Sequence, residues 1–149
     1  MWLVHIHVHG YMVQSLTLSL NHPSMLQMPV WHWCNFQVLD LGGNFISHLP
    51  DTLGELKHLE KIHLGSVIDE LERRNFQNGN WLWSLPENFG NLTSLREANI
   101  DENQLETLPQ NFGELVNLEW LNLGQCRFSL SVFNVSYLKR IWLWKILGR

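Results

Sequence analysis

A fixed spacing runs through the chain and restricts the folds open to it. Leu-Pro occurs at Leu49-Pro50, Leu85-Pro86 and Leu108-Pro109; the last two are 23 residues apart and the first two 36, which is 13 more than that period. Each proline is followed at one offset by Leu53-Gly54, Phe89-Gly90 or Phe112-Gly113, then by Leu56, Leu92 or Leu115, then by Leu59, Leu95 or Leu118. An apolar-x-x-apolar-x-apolar frame then restarts. It reads Phe36, Leu39, Leu41; Leu59, Ile62, Leu64; Leu95, Ala98, Ile100; and Leu118, Leu121, Leu123. Three residues beyond its last apolar member stand Asn44, Asn103 and Cys126. Self-similarity at a period of about 20–50 residues marks stacked repeats, in which no unit buries its apolar face alone.

The residue types fit that reading. The last two apolar positions of the frame alternate with polar ones, so they form a short strand with its leucines inward. Successive strands pair in parallel while the return segments pack behind them. The Asn position turns the chain out of the strand, and its amide can serve buried backbone groups of neighbouring turns as a ladder. Proline after leucine fixes an extended backbone where no ladder N–H is wanted. About six inward apolar residues per repeat stabilise the stack by about 1.5–3 kcal/mol each before chain entropy is counted.

The frame extends outward in both directions. Val13, Leu16, Leu18 and Asn21 fit one period upstream, and Leu138, Ile141, Trp144 and Ile146 one period downstream. Residues 13–149 therefore read as one repeat domain of five to six units, after an irregular or capping segment at residues 1–12. The third repeat carries 13 extra residues within about Gly65 to Gly79, which makes Asn80 the partner of Asn44 and Asn103. Inside it, Ser66 and Asp69 look like a helix start, with Val67, Ile68 and Leu71 on one side. The excursion is either a recognition element on the rim or a solvated loop, since a longer surface loop adds little closure entropy. The fifth repeat has Ser131-Val132 in place of Leu-Pro, and the sixth stops at Arg149 just after its strand. No polar C-terminal cap is evident, so the chain reads as part of a longer array or as one whose end a partner covers.

The frame resembles the leucine-rich repeat in its short 23-residue form. Its Leu-Pro-x-x-Leu/Phe-Gly-x-Leu-x-x-Leu arch is similar to that of intracellular Ras-suppressor-like and plant Ras-group-related repeat proteins. The resemblance implies an α/β solenoid, with a curved parallel sheet on the concave side and short helical or irregular segments on the convex side. It also implies a cytoplasmic adaptor or scaffold for signalling proteins. The glycine-bearing Ile-Pro arch of extracellular plant receptors and the cysteine-rich caps of secreted animal relatives are absent from the sequence.

Composition narrows the function classes. A formal net charge of −4 argues against nucleic acid, which needs a basic face. Cys34 and Cys126 are too few and too far apart for a disulfide framework or zinc knuckle, and fit a reducing compartment. No apolar run reaches the roughly 20 residues of a membrane span. The sequons at Asn91 and Asn134 keep a secreted, glycosylated alternative open, although residues 1–8 lack the basic start of a signal peptide. There is no GxSxG, Walker loop or HExxH, so a catalytic role is not expected, and no cofactor is implied. The adjacent acids Asp69-Glu70 and Asp101-Glu102 read as solvated surface rather than an acid/base pair.

Other clusters have two readings each. His5, His7 and His9 would share one face of a strand, as an edge or as zinc ligands with His22, His32 or Cys34. Trp33 falls in the Leu56 column, and Trp81 and Trp83 flank Leu82, where they would cover the turn after the insertion. The basic and apolar tail at 137–149 reads as a truncated strand by register, or as a membrane-surface helix by composition.

A binding face follows from the alternation. Between the inward leucines stand Val38 and Asp40, Lys61 and His63, Glu97 and Asn99, and Trp120 and Asn122, with Asp101 and Gln125 just beyond and Ser15 and Thr17 upstream. Asp40, Lys61, His63, Glu97, Asn99, Trp120 and Asn122 are the candidate partner-binding residues. A Trp among polar groups has the composition of an interface hot spot. The expected function is a protein-interaction module with a protein partner. The competing expectation is a shortened chain that self-associates through an unpaired strand at its open end.

Overall fold

The computed structural model describes residues 35–66 and 79–128 in full and the backbone of 3–9 and 12–19. The body of the insertion, Trp31 to Cys34, the 137–149 tail and the sixth repeat lie outside the described residues. Six strands form one sheet in sequence order: β1 Leu3–His9, β2 Met12–Ser19, β3 Val38–Asp40, β4 Lys61–His63, β5 Glu97–Asn99 and β6 Trp120–Asn122. Strands β2 to β6 are parallel, and β1 returns antiparallel beside β2 with a register shift between His7 and Val8.

Strands β3 to β6 are short because the repeat leaves room for only one alternation before the chain must turn back. Leu39, Ile62, Ala98 and Leu121 are in register across β3 to β6 and all are buried. Leu41, Leu64, Ile100 and Leu123, two residues on, form a second buried row. The pairing of Leu16 with Leu39 continues the same 23-residue step into β2. One carbonyl per repeat starts the next strand: Gln37 accepts from Glu60 and Lys61, Glu60 from Arg96 and Glu97, and Arg96 from Glu119 and Trp120.

The return segments behind the sheet are 3-10 turns, at Asp51–Glu55, Phe89–Asn91 and Gln110–Glu114. The sequence explains why they are no longer. Pro50 and Pro109 hold extended backbone, with φ −70° and −63°, and only a few residues separate each from the next inward leucine. The proline carbonyl accepts from the residue three ahead, as Pro50 does from Leu53, Pro86 from Phe89 and Pro109 from Phe112. The glycine of the Leu/Phe-Gly pair is set by the neighbouring turn. A Cβ at Gly54 would meet the Asn88 carbonyl oxygen at 2.4 Å, and one at Gly90 would meet that of Asn111 at 1.9 Å. The turns thus stack backbone against backbone, and the rings of Phe89 and Phe112 lie nearly parallel with centroids 5.8 Å apart.

The Asn column forms the expected ladder. Asn44 donates to the Leu41 and Gly42 carbonyls within its own turn. Asn80 donates to Leu64 and back to Leu41, and its carbonyl accepts from the Ile46 amide. Asn103 donates to Ile100, Asp101 and back to Leu64, and accepts from Leu82. Asn80 therefore holds the column on the far side of the insertion. At Cys126 one thiol keeps a single rung, Sγ to the Ile100 carbonyl at 3.3 Å.

Candidate functional site

The alternation that buries the leucines brings the candidate residues together on the other sheet face. One row in register runs Ser15, Val38, Lys61, Glu97, Trp120; the next runs Thr17, Asp40, His63, Asn99, Asn122. On β1, His7 pairs with Ser15 and His5 with Thr17, which carries both rows across all six strands by backbone register. Nothing further is described for the three histidines of β1. Among the described residues, no group of three or more His, Cys, Asp or Glu is placed to hold a metal ion.

The two rows differ in what their side chains are doing. In the first, Lys61 and Glu97 pair at 2.9 Å while half-exposed, and Trp120 is 38% exposed beside Glu97. In the second, the polar atoms are engaged within the chain. Asp40 accepts from the Gly42 amide, Asn99 from Asp101 and Asn122 from Gly124, so three repeats end their strand with the same side-chain turn. His63 departs from that pattern. Its Nδ1 lies 3.1 Å from Asp40 Oδ1 and its Nε2 3.0 Å from the Ser66 carbonyl.

A third row, one alternation further on, holds Gly42, Gly65, Asp101 and Gly124. Asp101 was expected to be solvated, with Glu102 beside it. Both are buried, at 2% and 3% exposure. The Asp101 carboxylate accepts from the Ser66 amide at 3.0 Å and from Asn122 Nδ2 at 3.1 Å. The cause lies in its neighbours: a Cβ at Gly65 would meet Asp101 Oδ1 at 1.8 Å, and one at Gly79 would meet the Glu102 carbonyl oxygen at 2.3 Å. Both feet of the insertion thus rest on the Asp101-Glu102 segment, which takes that pair out of water. Had the repeats been read in columns, an Asp flanked by two glycines would have signalled a side chain filling space its neighbours vacate.

Charge on this face is shaped by the same contacts. Burial raises the Asp40 pKa, but the hydrogen bond from His63, the Gly42 amide and the imidazole charge together hold it below the usual value. The hydrogen bond to Asp40 raises that of His63 against the opposing pull of burial, helped by the Asp40 charge, the Ser66 carbonyl and Asp101. Burial pushes the Cys126 thiol up to about 11, which favours the protonated thiol at neutral pH.

Trp81 and Trp83 were expected to cover the turn after the insertion. Both are half-exposed. Leu82 between them is the buried residue. Trp81 packs at 5.2 Å against Phe45, its counterpart one described repeat earlier, and the Arg127 guanidinium lies 5.8 Å from the Trp83 ring. An aromatic row therefore lines the rim beyond the Asn column.

Comparison with known protein families and with characterised proteins finds no match. Among solved structures, the chain is similar to a leucine-rich-repeat protein of Leptospira interrogans, with TM-score 0.55 and 26% identity over 91% of this chain. The match covers 36% of that protein's chain. The parallel sheet, the absence of long helices among the described residues and this likeness agree on a leucine-rich-repeat architecture. No helix among the described residues is long and apolar enough to cross a membrane.

Proposed function

We propose that this leucine-rich-repeat chain is a non-catalytic protein-interaction module of the adaptor or scaffold type, taking a protein partner on the outward sheet face around Trp120. The observation that carries the reading is Trp120 itself. A large apolar ring stays 38% exposed on a sheet whose backbone is fixed by pairing on β5. Its surroundings are polar: the Lys61–Glu97 pair, Asn99 and Asn122. A rigid aromatic amid hydrogen-bonding groups gives contact area with little ordering entropy. The rim supports a footprint that continues past the Asn column, because Phe45, Trp81 and Trp83 are all more than half-exposed.

The test is affinity capture with the wild-type chain, Trp120→Ala and Val116→Ala, the last an exposed apolar residue away from this face. A partner retained about tenfold less by Trp120→Ala and undiminished by Val116→Ala supports the site. Equal retention by all three rejects it.

The cytoplasmic and signalling assignment rests on the resemblance of the Leu-Pro arch to intracellular repeat proteins. Asn91 offers a check, since it and Thr93 of its sequon are exposed on the back of the fold. A tagged chain that shifts on glycosidase treatment would overturn that assignment and favour a secreted recognition domain.

A further inference from the structure

A continuous polar chain crosses the candidate face. It starts at Asp40 on β3 and passes to His63 Nδ1 on β4. From His63 Nε2 it passes to the Ser66 carbonyl at the first foot of the insertion. The Ser66 amide then donates to Asp101, whose second oxygen accepts from Asn122 on β6. The repeats of β3, β5 and β6 contribute one member each, and that of β4 contributes two.

His63 is the member whose chemistry depends on pH. Both groups facing its ring nitrogens, a carboxylate and a backbone carbonyl, accept hydrogen bonds and cannot donate. A neutral imidazole has one N–H and satisfies one of them; an imidazolium has two and satisfies both. We propose that His63 is a proton-controlled tie of this face: charged, it binds Asp40 and the root of the insertion at once; neutral, it releases one of them. Release alters the face two strands from its candidate anchor in two ways. The Asp40 charge loses its counter-ion, and one of the two acceptors, Asp40 or the Ser66 carbonyl, loses its hydrogen bond.

The charged groups around the ring agree in sign. From β3 it faces the Asp40 carboxylate, and Asp101 lies beyond the uncharged Asn99 on β5. On its own strand Lys61 is neutralised by Glu97. Across the sheet the nearest titratable residue in its row beyond Asp40 is His5 on β1, separated by Thr17 on β2. The acids favour retention of the proton, in line with the raised proton affinity given above. These contacts hold the charged form of His63 to higher pH than an ordinary imidazole.

That the switch controls partner affinity rests on the binding reading above; the switch itself does not. The experiment is therefore run on the full chain without a partner. Imidazole and amide resonances are followed by NMR from pH 5 to 9, with His63 assigned by its loss in His63→Gln. The expected result is a His63 midpoint above 6.5, both ring nitrogens protonated below it, and the Gly42 and Ser66 amides shifting with the same midpoint. Asp40→Asn, which keeps the histidine, lowers that midpoint and serves for assignment if His63→Gln fails to fold. A midpoint at or below 6.5, one unmoved by Asp40→Asn, or amides that do not follow it would overturn the proposal. Loss of the switch with capture by Trp120 intact, or the reverse, separates failure of this inference from failure of the binding reading.

Discussion

At the scale of single residues, Asp101 shows how one side chain secures an irregular element. Its two oxygens satisfy a buried amide and a part-buried side-chain N–H, and the glycine beside it leaves no space to relax into. Asp101→Ala strands both donors, and the buried one alone costs about 1–3 kcal/mol. The variant is expected to lose about 3 kcal/mol, read from the denaturant midpoint at unchanged slope. The Asp40–His63 pair makes stability depend on pH in two limbs. The raised histidine contributes fully below 6.5 and loses its contribution as pH climbs through its folded value. The depressed aspartate contributes above 3.8 and loses it as pH falls through its folded value. Asp40→Asn is expected to flatten both limbs in melting temperatures taken from pH 3 to 9. A profile unchanged in shape would remove the pair as its cause.

At the scale of elements, the back of the fold is decided by how closely successive 3-10 turns approach. Lys57 Nζ donates to the Gly54 carbonyl and to that of Asn91 in the next turn, and Asn117 donates to Thr93. Asn88 likewise donates to the Asp51 carbonyl. These links hold the turns at a spacing that admits only a hydrogen on the facing glycine. Gly90→Ala places a methyl group 1.9 Å from the Asn111 carbonyl oxygen, which is backbone and cannot swing aside. The cost expected from forced overpacking is about 1–3 kcal/mol, measured by chemical denaturation. A gain in stability, as replacing a flexible residue would otherwise give, would mean that the turns separate freely.

At the scale of the whole molecule, stability is a chain of neighbour contacts. Buried leucines of one repeat touch those of the next, and the Asn rungs reach back one repeat to Leu41 and Leu64. Such an array melts as one unit when neighbour coupling exceeds the stability of a repeat. Leu95, fully buried in the middle of the described stack, tests this. Leu95→Ala is expected to cost about 2–5 kcal/mol and to shift a single transition without splitting it, with circular dichroism and tryptophan fluorescence coincident. Two separated transitions would show that the insertion divides the stack into independent halves.

The order of parallel strands, the inward leucine rows, the two rows of the candidate face and the place of Asn80 beyond the insertion were all legible in the sequence. They follow from local periodicity, and a period repeated along the chain fixes register without reference to anything distant. The sequence did not disclose the burial of Asp101 and Glu102, the exposure of Trp81 and Trp83, or the engagement of His63 on both ring nitrogens. The first and the last meet at Ser66, where the insertion breaks the period: its amide donates to Asp101, 35 residues on, and its carbonyl faces His63 Nε2. An irregular excursion folds its feet onto the neighbouring repeat, and only packing decides which side chains it shields from water and which it leaves outside.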